Sequence, residues 1–281
     1  PDRIDKALQT QADAVIIDLE DAVPLKLKKE ARNIARNKLL EQSRERIFVR
    51  VNALNTEFIE KDIQEIVVQG LSCIVIPKVE KAGDMPAIEA YLTRAEKNNK
   101  LEQGSIQIIP LIETAFAIQN IFEIVSANIA NKRLFTVAFG AADYTLDMGI
   151  EMTLSADELM YPRSRIAIAC CAANLPPPID SPFMIDLKNL KALEKDAQRS
   201  KKLGFQGKLC IHPNQLDICN TVYSPSDEET AFARKVLKAF HEAEISGHAA
   251  IQVDGKFIDY PIVHRAQKIV TLANKISNAL R

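Results

Sequence analysis

The chain reads as an α/β barrel of parallel strands, and three observations predict it. Short apolar runs recur seven times between longer amphipathic stretches: ADAVIIDLED, RIFVRVNA, CIVIPKVE, IQIIPLIET, LFTVAFGAAD, PPPIDSPF and GKLCIHPN. Their starts lie roughly 25 to 45 residues apart, which leaves room for a strand, a helix and two loops, the repeat of a parallel sheet. Most of the runs are unbroken Val/Ile/Leu/Phe stretches rather than alternating ones, as strands covered on both faces require. The length of 281 residues, with 47% hydrophobic and 26% charged, suits a single barrel with a sizeable core.

Taken in order, the chain opens inside a helical pattern, RIDKALQTQ, with no strand ahead of it. The expectation is therefore a (β/α)8 TIM barrel over residues 1–223 whose first strand is missing from this sequence, followed by a C-terminal helical extension over 224–281. Between the apolar runs, residues 28–40, 57–69, 85–98, 115–129, 158–173 and 187–203 carry helical spacing. Ser155 and Asp186 stand where caps are wanted. After the last run a helix over 227–246 leads to IQVDGKFIDYP and a final helix over 262–278.

Several function classes are excluded early. Thirty-six basic against thirty-seven acidic residues leave a formal charge of -1, no footprint for nucleic acid or an anionic membrane. The nine glycines form neither G-x-G-x-x-G nor a phosphate loop, which weighs against a nucleotide enzyme. No stretch approaches the roughly 18 apolar residues of a membrane span, and no signal peptide is visible, so a cytoplasmic location is expected. The five cysteines, Cys73, Cys170, Cys171, Cys210 and Cys219, lack C-x-x-C spacing and read as reduced core thiols. A small-molecule partner remains.

Chemistry is expected at the strand ends, because the C-terminal rim of a parallel barrel is where active sites sit. Glu113 ends IQIIPLIE and Asp143 ends LFTVAFGAAD, so two carboxylates leave apparently buried strands. Such a pair suits a hard cation with oxygen ligands, and magnesium better than zinc, since water and substrate oxygens would complete its shell. The first run ends in Asp18, Glu20 and Asp21, the second in Arg50 and Asn52, the third in Lys78 and Glu80. Residues two apart on a strand share a face, so Asp18 and Glu20 should point together, as should Arg50 and Asn52. Each charge taken alone could be merely solvated; together they favour function. Arg50 offers a planar fork for a carboxylate or an enolate, or a salt bridge to the acidic cluster. Gly140 and Ala141 make a small-residue turn that either receives an anion or simply joins strand to helix. His212, in CIHPNQ, reads as a hydrogen-bonded structural group.

The strings PDRIDKAL, IDLEDAV, VRVNAL, IPKVE, IPLIET, FGAADYTLDMG, KLCIHPNQ and FIDYP, in this order, resemble the citrate lyase beta-subunit-like family, which includes malyl-CoA and citramalyl-CoA lyases. The resemblance spans essentially the whole chain. It implies a (β/α)8 barrel in which Glu113 and Asp143 bind Mg2+, Arg50 binds substrate, Gly140 and Ala141 hold the oxoacid carboxylate, and Glu20 and Asp21 surround the metal-bound waters. It also implies an acid/base aspartate on the extension, Asp259 in KFIDYP, reaching the site of a neighbouring subunit in a homo-oligomer, commonly a trimer. Arg3 is a weak candidate for a phosphate contact of coenzyme A.

The implied reaction is cleavage of a 3-hydroxyacyl-CoA thioester to acetyl-CoA and a 2-oxoacid, with citramalyl-CoA favoured over malyl-CoA and citryl-CoA. Alternatives are a subunit of a citrate lyase complex acting on a citryl acyl carrier protein, a magnesium-dependent oxoacid aldolase, and a barrel that binds a CoA thioester without turnover.

Overall fold

The computed structural model describes residues 2–41, 46–127, 129 and 133–279. Contacts divide the chain into two compact units, one up to Leu216 and one from Asp217 onwards.

In the first unit, α1 (Asp2–Leu8) leads into seven strands: β1 (Val15–Asp18), β2 (Ile47–Arg50), β3 (Cys73–Ile76), β4 (Gln107–Ile112), β5 (Ala138–Phe139), β6 (Ile179–Asp180) and β7 (Gly207–Lys208). They lie side by side in chain order, each pair parallel, so the seven apolar runs are borne out as one curled parallel sheet. Among the described residues no pairing joins β7 to β1. The inside of the curl is apolar: Cys73, Val75, Ile109, Leu111 and Ala138 are buried against Ile16, Phe48, Ile179 and Leu209, residues drawn from all seven strands or the residue just beyond. The outer face is covered by α2 (Lys28–Glu41), α3 (Ile59–Ile66), α4 (Asp84–Asn98), α5 (Ala115–Gln119), α6 (Ile121–Val125), α7 (Ala141–Met148), α8 (Met160–Ala172) and α9 (Leu190–Lys202). Helix α4 shows why: Met85, Ile88, Leu92 and Ala95 recur at helical spacing and all are buried.

Four local expectations are corrected. The helix expected over 57–69 spans only Ile59–Ile66, because Val67 leaves helical geometry at ψ 82°. The helix expected over 115–129 is two short ones, broken at Asn120, whose side chain instead donates to the Glu80 carbonyl at 3.2 Å; residue 128 lies outside the described residues. Neither Ser155 nor Asp186 caps a helix: Asn189 caps α9 by accepting from Ala192 N at 3.0 Å, and Asp186 turns the chain at Lys188 N. Finally, Asp143 is not on a strand end but in the first turn of α7, whose eight residues are too few for a periodic signal.

The second unit holds α10 (Leu216–Tyr223) from its second residue on, α11 (Asp227–Ile245), a hairpin of β8 (Ile251–Val253) with β9 (Lys256–Ile258), and α12 (Tyr260–Ala279). Its core is Ala233, Val236, Phe240, Val253, Ile258 and Ala266. Ser226 and Glu229 close a capping box on α11. Asp254 and Gly255 both take positive φ, 49° and 76°, the turn that matches strand twist in a two-residue hairpin. The stretch IQVDGKFI, to which the sequence reading assigns no element, is thus a hairpin, and its Asp-Gly pair was the available signal.

Candidate active site

Alternation along β4 aims Ile109 and Leu111 into the curl, and the next residue of that parity is Glu113. Its side chain is almost fully buried at the rim. Oε1 accepts the main-chain N–H of Lys78 at 2.8 Å. Burial, and then the charge of Asp143, push the Glu113 carboxyl up to about 8. Gly140 makes the close approach possible: it donates to the Ile112 carbonyl at 3.0 Å, and a Cβ there would lie 2.5 Å from the Glu113 Cβ and nearer still to Oε2. Asp143, three residues on, is partly buried, and its charge is felt by both Glu113 and Lys78.

Opposite stands a charged cluster that the β1–β2 register creates, since Asp18 and Arg50 are direct partners. Arg50 closes its fork on Asp18, Nε to Oδ1 at 2.7 Å and Nη2 to Oδ2 at 2.6 Å. Its Nη1 lies 3.1 Å from Glu20 and 3.9 Å from Asp21. Burial works to raise the Asp18 carboxyl, but Arg50 and the N–H groups of Glu20 and Ala22 hold it below its ordinary value. Burial leaves Glu20 raised in spite of Arg50, while the carboxylates outweigh burial and raise Arg50. Lys78 Nζ reaches Glu20 Oε1 at 3.2 Å.

Asn52 does not join Arg50, contrary to the two-residue alternation. It is buried, because the chain leaves the strand after Arg50, and it accepts from Lys28 Nζ at 2.7 Å and donates through its main-chain N–H to Asp62 at 2.9 Å. Lys28 also donates to the Leu19 and Glu20 carbonyls at 2.7 and 2.8 Å, and Asp62 pairs with Arg32 at 3.1 Å. This buried network fixes the loop that carries Glu20 and Asp21. Sequence reasoning passed over Lys28, Arg32 and Asp62, although Lys28 and Arg32 stand four apart on the stripe that α2 buries with Ala35 and Leu39.

Elsewhere the roles are structural. Glu80 accepts from Thr114 at 3.0 Å, and His212 caps the turn Pro213–Gln215. Cys73, Cys170 and Cys219 are buried free thiols, but Cys171 is exposed and Cys210 partly so. Asp259 lies in the second unit at the start of α12, its carboxylate 3.4 Å from Ile262 N. A cleft of about 470 Å³ is lined by Glu20, Asp21, Lys28, Asn52, Phe58 and Lys78. Among the described residues no group of three or more His, Cys, Asp or Glu is placed to hold a metal ion, and no helix is long and apolar enough to cross a membrane. A divalent cation fits the Glu113 and Asp143 pair all the same. The raised Glu113 carboxyl records burial first and the charge of Asp143 second, a cost to the ionised pair that such an ion would offset, and a two-carboxylate site suits magnesium, which keeps several waters.

Fold and rim together define a class: a parallel α/β barrel-type protein whose rim presents a carboxylate just past one strand and another in the first turn of a helix, together with cationic groups. Residues 1–213 match the model of the HpcH/HpaI aldolase/citrate lyase family, and the chain belongs to it. It is 35% identical over 265 residues to the citrate lyase subunit beta of Leuconostoc mesenteroides subsp. cremoris, covering 94% of this chain and 86% of that one. It is 32% identical over 300 residues to the L-malyl-CoA/beta-methylmalyl-CoA lyase of Cereibacter sphaeroides (strain ATCC 17025 / ATH 2.4.3), covering 99% and 92%. The crystal structure of CitE from Mycobacterium tuberculosis with magnesium, acetoacetate and coenzyme A superposes with a TM-score of 0.76 at 27% identity, over 98% of this chain and 94% of that one. The resemblance read from the motifs is borne out.

Proposed function

We propose that this protein is a magnesium-dependent carbon–carbon lyase that cleaves a 3-hydroxyacyl-CoA thioester, citramalyl-CoA in preference to malyl-CoA or citryl-CoA, to acetyl-CoA and a 2-oxoacid. The observation that carries the reading is the buried Glu113 carboxyl, raised beside Asp143 and facing the Arg50 cluster, in a chain whose named relatives are lyases. Glu113 and Asp143 would hold magnesium, with Glu20 and Asp21 hydrogen-bonding the surrounding water. Bound there, the ion would supply a Lewis acid for the hydroxyl and carboxylate oxygens of the substrate.

The protein's own groups do the rest. The Gly140–Ala141 turn receives the oxoacid carboxylate at the N-terminus of α7 through the Ala141 N–H, the Gly140 N–H being held by the Ile112 carbonyl. Arg50 keeps its geometry through Asp18 and turns its remaining N–H donors to the thioester oxygen, where negative charge develops as the bond breaks. As the carbon–carbon bond breaks the substrate hydroxyl gives its proton to water and becomes the ketone, while Asp259 delivers a proton to the α-carbon of the departing enolate; in the condensation direction Asp259 removes that proton and water returns one to the new hydroxyl. The reading includes a cytoplasmic homo-oligomer, a trimer, in which the extension carries Asp259 to a neighbouring subunit.

Incubating the purified protein with magnesium and citramalyl-, malyl- and citryl-CoA should release acetyl-CoA from at least one, and cleavage of none overturns the reading. The likeness to citrate lyase beta subunits favours a second reading, a subunit acting on a carrier-bound citryl thioester. Turnover with the acyl carrier protein and none with the CoA esters would select it.

A further inference from the structure

Arg50 is the obvious cation for an anionic substrate, yet its fork is already closed on Asp18 and its Nη1 lies beside Glu20. Lys78 is tied differently. Its side chain is 42% exposed and, among the described residues, its ammonium forms an ion pair with Glu20 alone, at 3.2 Å. Glu20 keeps Arg50 when that contact opens, so releasing the ammonium strands no buried charge. Lys78 also lines the cleft with Glu20 and Asp21, while its main chain touches Glu113.

The backbone of Lys78 is unusual as well. Its φ is 54°, in the left-handed region that non-glycine residues seldom occupy, and this conformation points its N–H at Glu113 Oε1, 2.8 Å away. Disfavoured backbone at a site persists where the surroundings over-determine it. Here the ladder from Ile76 to Pro110 and the Glu113 acceptor do so.

We propose that Lys78 serves the site twice: its main-chain N–H orients Glu113, and its ammonium leaves Glu20 to receive the anionic end of the 2-oxoacid or its thioester precursor. The first role is positioning, the second is substrate binding. Both rest on the lyase reading above.

Three substitutions separate the roles. Lys78→Gly accepts the left-handed conformation and retains the N–H, so magnesium affinity by titration calorimetry should stay within about 3-fold of wild type. Its KM for the cleaved thioester, and its Kd for pyruvate at saturating magnesium, should rise about 10- to 100-fold, because a charge-assisted contact is lost. Lys78→Arg should restore most of that loss. Lys78→Val resists positive φ, so its N–H turns away and magnesium affinity should fall at least about 10-fold.

An unchanged pyruvate Kd in Lys78→Gly removes the ammonium role, and so does a wild type that binds no pyruvate with magnesium present. Unchanged magnesium affinity in Lys78→Val removes the positioning role. Because both titrations proceed without turnover, a wild type that cleaves no thioester overturns the lyase reading while these measurements still decide Lys78.

Discussion

Glu113→Gln should stabilise the metal-free protein while abolishing its activity. In the fold the Glu113 carboxyl is pushed from its ordinary 4.5 up to about 8, so the folded state favours the protonated form. Stability from this group is intact below pH 4.5 and is lost progressively as pH climbs to about 8. At 1.36 kcal/mol for each pH unit between the two values, the loss is about 3 kcal/mol at pH 7 and about 5 kcal/mol at pH 9. The amide is neutral at every pH and retains an oxygen for the Lys78 N–H. In EDTA, urea unfolding should therefore find the variant more stable than wild type by about 3 kcal/mol at pH 7, with the difference vanishing near pH 4. Magnesium should raise the wild-type melting temperature and move the variant far less. A variant that is less stable than wild type at pH 9 without metal would refute the reasoning, since Glu113 would then be a satisfied carboxylate.

Gly140→Ala should cost about 1 to 3 kcal/mol by overpacking against Glu113 and weaken magnesium binding, read by calorimetry; wild-type affinity would show that Glu113 can move aside. Arg50→Lys should lower kcat/KM about 100-fold with little change in melting temperature, because a point charge cannot replace the fork on Asp18. Asp259→Ala should lose turnover alone, and mixing it with Glu113→Gln should restore part of it if Asp259 serves a neighbouring subunit; no recovery after subunit exchange would place both residues in one chain's site. Arg133→Leu breaks a fully buried pair with Glu96, 2.6 Å at its nearest, before strands β4 and β5, and should cost about 3 to 5 kcal/mol while the KM of the surviving enzyme stays put.

Much of this was readable along the chain. Each of the seven strands falls within one of the seven runs; β3 and β5 are apolar throughout, as a strand covered on both faces requires, and that requirement is local, whereas β6 and β7 carry Asp180 and Lys208. Glu113 could be picked out for the same reason, as the first charge after such a run. Asp143 was picked out too, but its short helix was not, since eight residues make barely two turns of pattern. Lys28 and Asp62 stayed hidden because they sit within helices on stripes that otherwise bury apolar groups. Nothing in a single helix says that a neighbouring loop will offer carbonyls to a buried ammonium.

By itself the sequence determined which segments are strands, which face of each helix is buried, and which charges stand at the rim. Those properties follow from period and composition, which act over a few residues. Only the tertiary structure decided that Arg50 is closed on Asp18, that Gly140 must lack a Cβ because Glu113 lies against it, that Asn52 turns inward, and that Lys78 takes a left-handed turn to meet Glu113. Each of these depends on register and close approach between residues that lie 24 to 35 positions apart in most cases, and no local pattern encodes such a pairing.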